Sequence, residues 1–159
     1  MQKKIIIKSL IDAVIKELDS IKLAAQTTKD HRQSDDLRSE GKYDTRSIEA
    51  GYLAMGQLQR LEELKLELQM LEEIPCRDFP PTDQIGIGAL VEIEFNNQSR
   101  HYFISPTAGG TMLRIGDETV LVISVFSPIG NQVIDLKKCD TFELQTPKEL
   151  RTYLIRNVS

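Results

Sequence analysis

Four acids crowd an eleven-residue polar stretch, Ser34-Asp35-Asp36-Leu37-Arg38-Ser39-Glu40-Gly41-Lys42-Tyr43-Asp44. They are Asp35, Asp36, Glu40 and Asp44, with Gly41 among them. The segments on either side hold no proline and have the residues of long helices. If those helices fold back on each other, the acids ride at the far tip of a thin arm. Carboxylates placed there can do chemistry only on something the arm enters. A solvated, helix-capping turn has the same composition, because Asp and its neighbours are favoured in turns for their own hydrogen bonds. The function question is therefore what the tip touches.

The arm itself is legible as two amphipathic segments. The first runs from about Lys4 to His31, with Ile7, Leu10, Val14, Leu18 and Ile21 spaced by three or four. The second runs from about Thr45 to Glu73. Leu58, Leu61, Leu64, Leu68 and Leu71 repeat the same step there, and Thr45 or Ser47 offers an N-cap. Matching stripes joined by a turn predict an antiparallel coiled coil. At 1.5 Å per residue, a helix of some 28 residues reaches roughly 40 Å. Small residues near the turn (Ala24, Ala25, Ala50 and Gly51) would keep the arm thin or merely weaken its end.

All six prolines lie at or after Pro75, and seven of the nine glycines lie after it or in the turn at Gly41. That asymmetry predicts two domains, residues 1–76 and 82–159, joined by a linker in which Pro80-Pro81 favours stiff, extended chain. Beyond it the period shortens to two. Strands are expected at Ile87 to Phe95, Arg100 to Ile104 and Thr119 to Phe126, the last near-continuously apolar and so central. Asn96-Asn97-Gln98 and Arg114-Ile115-Gly116-Asp117 read as turns. Pro106-Thr107-Ala108-Gly109-Gly110-Thr111 reads as a hairpin connection, lacking the Lys-Ser/Thr ending of a phosphate loop. The tail, Leu150 to Val158, fits either a short helix or a strand, and an edge strand is expected. The fold class is α+β: a helical hairpin followed by a small antiparallel β domain.

Charge and cysteines exclude some classes. The 159 residues carry a formal charge of −4, against broad binding of nucleic-acid phosphates, which needs a basic face. No apolar run approaches the 18 or so residues of a membrane span. Lys8, Asp12 and Lys16 interrupt the N-terminal apolar run too early for a signal peptide. Cys76 and Cys139 form no metal-ligand spacing and no disulfide framework, so a reducing, cytoplasmic location is expected. His31 and His101 lie apart, without neighbours at ligand spacing.

The order of hairpin, acidic tip, proline linker and β domain resembles the bacterial Gre transcript-cleavage factors. Three stretches carry the resemblance. Asp36-Leu37-Arg38-Ser39-Glu40-Gly41-Lys42-Tyr43 is similar to the family's Gly-Asp-Leu-Arg-Glu-Asn-Ala-Glu-Tyr type of tip. Val125-Phe126-Ser127-Pro128-Ile129-Gly130, with Val133-Ile134 and Lys137-Lys138-Cys139-Asp140 after it, is similar to the family's Ser-Pro turn and following run. Thr146-Pro147 precedes the last strand.

The resemblance implies an FKBP-like fold for the β domain, which would dock on the rim of the RNA polymerase secondary channel through Ser127, Pro128 and Ile129. It implies that the hairpin enters the channel of a backtracked polymerase. Asp36 and Glu40 would then act as catalytic and metal-holding acids, supported by Asp35, Arg38, Ser39 and Tyr43. The cofactor would be magnesium shared with the polymerase, the partners the polymerase and the nascent RNA within it, and the factor a monomer rather than an independent enzyme. Magnesium suits such a tip because it takes hard oxygen ligands, usually one or two carboxylates plus phosphate.

The tip departs from the family pattern at one place. Aligned through Asp36-Leu37-Arg38, Ser39 stands where the second acid is expected and Glu40 is one residue late. A non-cleaving secondary-channel regulator is therefore the alternative to a cleavage factor. Prolyl isomerase activity is a third possibility, with few aromatic residues to line a pocket.

Overall fold

The computed structural model describes residues 2–36 and 45–159, excluding the side chains of residues 2, 28–36, 45–48 and 50. Helix α1 spans Gln2–Asp36 and α2 spans Thr45–Glu72. A six-stranded sheet follows: β1 Leu90–Phe95, β2 Gln98–Ser105, β3 Met112–Ile115, β4 Glu118–Ser124, β5 Thr141–Gln145 and β6 Leu150–Val158. A short helix, α3 Pro128–Val133, lies between β4 and β5. Contacts divide the chain into two compact units, residues 12–69 and residues 1–11 with 70–159.

The unit of residues 12–69 is the middle of the helical pair. Among the described residues, Val14, Leu18 and Leu64 are buried in it, with Ile21, Ala25, Ala54 and Leu61 half-buried. The Arg60 guanidinium donates from Nε and Nη2 to Glu17 Oε1, at 3.0 and 2.8 Å, which sets the two helices side by side. Leu58 does not join the stripe and is exposed. Residues 51, 54, 57, 61, 64, 68 and 71 form the covered row instead. Their spacing of three and four follows one helix face, and Leu58 stands beside it.

The other unit gathers the first turns of α1, the end of α2 and the whole sheet. Ile6, Leu10, Leu71 and Ile74 are buried in it. Lys3, at 6% exposure, donates from Nζ to the Arg77 carbonyl, lies 3.9 Å from Asp78 and sits over the Phe79 ring. The start of α1 therefore lies beside the segment that follows α2, and the two helices run in opposite directions. That segment is not a free connector. Phe79 is buried in the sheet's core, and the chain turns at Pro80, where Asp83 N donates to Pro80 O, rather than continuing extended. Gly88, at φ +88°, passes so close to Pro75 that a Cβ would lie 2.5 Å from its carbonyl oxygen.

The sheet order is β3-β4-β2-β1-β6-β5. All neighbours are antiparallel except β2 and β4, which are parallel. Asn96 and Asn97, both at positive φ, make the two-residue turn between β1 and β2. Asn tolerates the left-handed region, and a turn of this hand matches the strand twist. Val133 of α3 belongs to one core with Val91, Ile93, Ile104, Ile123, Phe142, Ile155 and Val158 of the sheet.

Four expectations are corrected here. The tail strand β6 is interior, between β1 and β5, because the short segment Thr141–Gln145 pairs along its outer side. Residues 106–111 do not connect a hairpin: β4, not β3, pairs with β2, and the loop carries the chain past β4 to the sheet edge. Arg114 and Ile115 belong to β3, and the turn is Gly116-Asp117. The apolar run ending at Phe126 leaves the sheet at Ser124, and β4 lies between β3 and β2.

Candidate functional site

The acidic tip divides at the end of α1. Asp35 and Asp36 are the last two residues of that helix, and nothing is described of their side chains. Leu37, Arg38, Ser39, Glu40, Gly41, Lys42, Tyr43 and Asp44 lie outside the described residues. Among the described residues, no three His, Cys, Asp or Glu side chains gather as metal ligands.

The second candidate, Ser127-Pro128-Ile129, is described in full. Leaving β4, the chain turns sharply: Ser127 N donates to Ser124 O at 2.9 Å, and Phe126 N donates to Ser124 Oγ at 3.2 Å. Ser127 is the N-cap of α3. Its Oγ accepts from Gly130 N at 3.0 Å and donates to Ser124 O at 2.7 Å. Pro128 takes the first helical position, where its missing N–H costs nothing. Gly130 has no substitute here, since a Cβ would lie 2.0 Å from Ser124 O. Sequence thus accounts for the local fold without any functional demand on Ser127. Function must be sought in what this turn presents.

It presents one wall of an apolar groove of ≈ 730 Å³. Phe126, Ser127, Pro128 and Ile129 form that wall, residues 106–110 the opposite one, and Leu121, Ile123 and Leu144 contribute to the lining. The two walls are held close. Gly109 lies against Ser124, where a Cβ would come within 2.9 Å of the Ser124 Cβ. Gly110 N donates to Val122 O, and Val125 N donates to Ser105 O. No lining residue titrates near neutrality, so the groove offers no acid, base or metal ligand. Its apolar lining suits binding.

Phe126 is the residue that sequence reasoning missed. It extends the strand pattern and so reads as core, yet it is 82% exposed at the rim of the groove. The available signal was its place immediately before an N-cap serine and Pro128. A strand ending there cannot keep its alternation. An exposed phenylalanine beside an apolar groove is the type of residue that anchors protein interfaces.

No protein-family model matches the sequence, and no curated protein matches it. Among solved structures, the chain is similar to the transcription factor Gfh1, at 19% identity over 95% of this chain and 94% of that one, with a TM-score of 0.42. It is also similar to the GreA factor homolog 1 protein of Thermus thermophilus, at 20% identity over 94% of each chain and a TM-score of 0.39. A third is the transcription elongation factor GreA/GreB from Nitrosomonas europaea, at 19% identity over 62% of this chain and 92% of that one, with a TM-score of 0.38. These structural neighbours are Gre-type factors, all at low sequence identity.

Proposed function

We propose that this chain is a transcription factor of the RNA polymerase secondary channel. Its β unit docks on the channel rim, and its hairpin carries the acidic tip inward to stimulate cleavage of backtracked RNA. The observation that carries the reading is the apolar groove with Phe126 exposed at its rim, built by the same Ser127-Pro128-Ile129 stretch whose sequence resembles the Gre docking turn. The partner surface that fits is an apolar projecting element of the polymerase, seated between residues 106–110 and the start of α3.

At the tip, Asp36 and Glu40 are the residues that would hold magnesium. Their carboxylates are hard oxygen donors of the type this ion takes alongside phosphate. Bound with the polymerase's own ion, it would stabilise the attacking and leaving oxygens of phosphodiester hydrolysis. Asp35, Arg38, Ser39 and Tyr43 would shape the loop.

A specific observation favours a second reading, a channel-binding regulator without cleavage. Ser39 occupies the place of an acid, and Glu40 is displaced by one residue. A misplacement of about 1 Å costs on the order of a hundredfold in rate. One experiment separates the two. Full-length protein is added to arrested, backtracked elongation complexes in magnesium, and the RNA is sized. Shortened transcripts, lost with Asp36→Ala and Glu40→Ala, support the cleavage factor. Intact transcripts with slowed elongation support the regulator. Absence of polymerase binding overturns both.

A further inference from the structure

We propose that the open end of the sheet's core face is a binding site for a phosphate group. A polar pocket of ≈ 300 Å³ lies there, separate from the docking groove and lined by Phe95, Gln98, Arg100, Tyr102, Arg151 and Tyr153. Strand register explains why these side chains meet. Arg100 is the partner of Ile93 and Gln98 the partner of Phe95 across β1–β2. Arg151 and Tyr153 come from β6, on the other side of β1. Alternation puts all of them on the face whose far end is the apolar core. Two guanidinium groups thus flank one pocket from strands either side of β1.

Both arginines are suited to an anion. Arg151 is already positioned: it donates from Nε to Glu149 Oε1 at 2.9 Å and its guanidinium lies 5.0 Å from the centroid of the Phe95 ring. Phe95 and Phe142 in turn pack on Tyr153, with centroids 5.1 and 5.0 Å from its ring. Arg100 makes no ion pair among the described residues. Tyr102, half-buried, has its phenol pKa raised by burial and so keeps its proton to donate.

The charge balance points the same way. Arg151 is paired with Glu149, Arg100 also borders a neighbouring hollow lined by Glu118, and Glu94 alternates to the opposite face, bound by Arg156 at 2.6 and 2.9 Å. The pocket's own lining holds two guanidinium groups and no carboxylate, within a chain of net charge −4. Guanidinium forks match the oxygens of phosphate, and phenol and amide donors complete such a site. The lining is made of hydrogen-bond donors and aromatic rings, which suits binding.

The test is a titration of the full-length, ¹⁵N-labelled chain at constant ionic strength, followed through the arginine Nε–H resonances. The probes are inorganic phosphate, a nucleoside monophosphate, acetate and chloride. Saturable shifts of Arg100 and Arg151 with phosphate are expected, weakened at least tenfold by Arg100→Gln and also weakened by Tyr102→Phe. Equal affinity for the two phosphate probes identifies free phosphate as the ligand, and tenfold tighter binding of the monophosphate identifies a nucleotide. Shifts that do not saturate, acetate or chloride matching phosphate, or unchanged affinity in folded Arg100→Gln protein overturn the proposal. If Arg100→Gln fails to fold, Tyr102→Phe, which keeps the ring, decides, and unchanged affinity there overturns it equally.

Discussion

Replacing Phe126 with alanine separates binding from folding. The side chain is 82% exposed, so the folded state gains almost nothing from it. A docked partner would gain a great deal. An aromatic side chain can bury roughly 150 Å², so covering four fifths of it removes about 120 Å² from water. At about 25 cal/mol per Å² this contributes about 3 kcal/mol, or roughly a hundredfold in affinity. The assay is equilibrium binding of the full-length chain to core RNA polymerase, with urea unfolding run in parallel. The expected pair of results is affinity lowered by roughly a hundredfold and unfolding free energy within about 0.5 kcal/mol of the parent. Met112, 70% exposed but outside the groove, is the control, and Met112→Ala should bind within about twofold of the parent. Wild-type affinity in Phe126→Ala would refute the placement of the docking surface. A large loss of stability would refute the claim that Phe126 stands apart from the core.

Other predictions follow from the packing around that turn and from the buried lysine. Gly130→Ala, whose methyl would meet the Ser124 carbonyl oxygen at 2.0 Å, should destabilise by at least about 2 kcal/mol in urea unfolding. Ser127→Ala removes the cap bond to Gly130 N and should cost about 1 kcal/mol in the same measurement. Arg60→Ala, which breaks an exposed pair with Glu17, should cost under about 1 kcal/mol. Burial lowers the Lys3 pKa below its ordinary 10.5, with nearby Asp78 opposing the shift. Between that lowered value and 10.5 the unfolded chain binds more protons, so stability climbs with pH across the window and is lost again as pH falls through the folded value. Unfolding free energies measured from neutral to alkaline pH should show a steeper climb in the parent than in Lys3→Met, and parallel curves would contradict the burial of a charged Lys3.

Much of the architecture was legible because it rests on repeating patterns. The three-and-four spacing from Ile7 to Ile21 and from Leu61 to Leu71 marks both helices, and the observed α1 and α2 end within about five residues of the expected segments, Lys4 to His31 and Thr45 to Glu73. Asn96-Asn97 marks the first hairpin, because those residues accept positive φ. The misses share a cause. Thr141–Gln145 has too little apolar content to announce β5, so β6 was expected at an edge it does not occupy. Leu58 has the chemistry of a core residue, but only the partner helix decides which leucines are covered. Phe126 extends an alternation whose end is set by hydrogen bonds to Ser124.

The candidate sites divide in the same way. Sequence alone determined that acids gather at residues 35–44 between two helical segments, and that the chain turns at Ser127-Pro128. Both follow from local chemistry: turn preference, capping and the absence of a proline N–H. Tertiary structure alone decided that Ser127-Pro128-Ile129 faces residues 106–110 across a groove, because the parallel pairing of β2 with β4 brings those stretches together. It likewise decided that Arg100 and Arg151, fifty-one residues apart, share a pocket. Such meetings depend on the order of strands in a sheet, and strand order is set by which edges pair rather than by any residue's own preference.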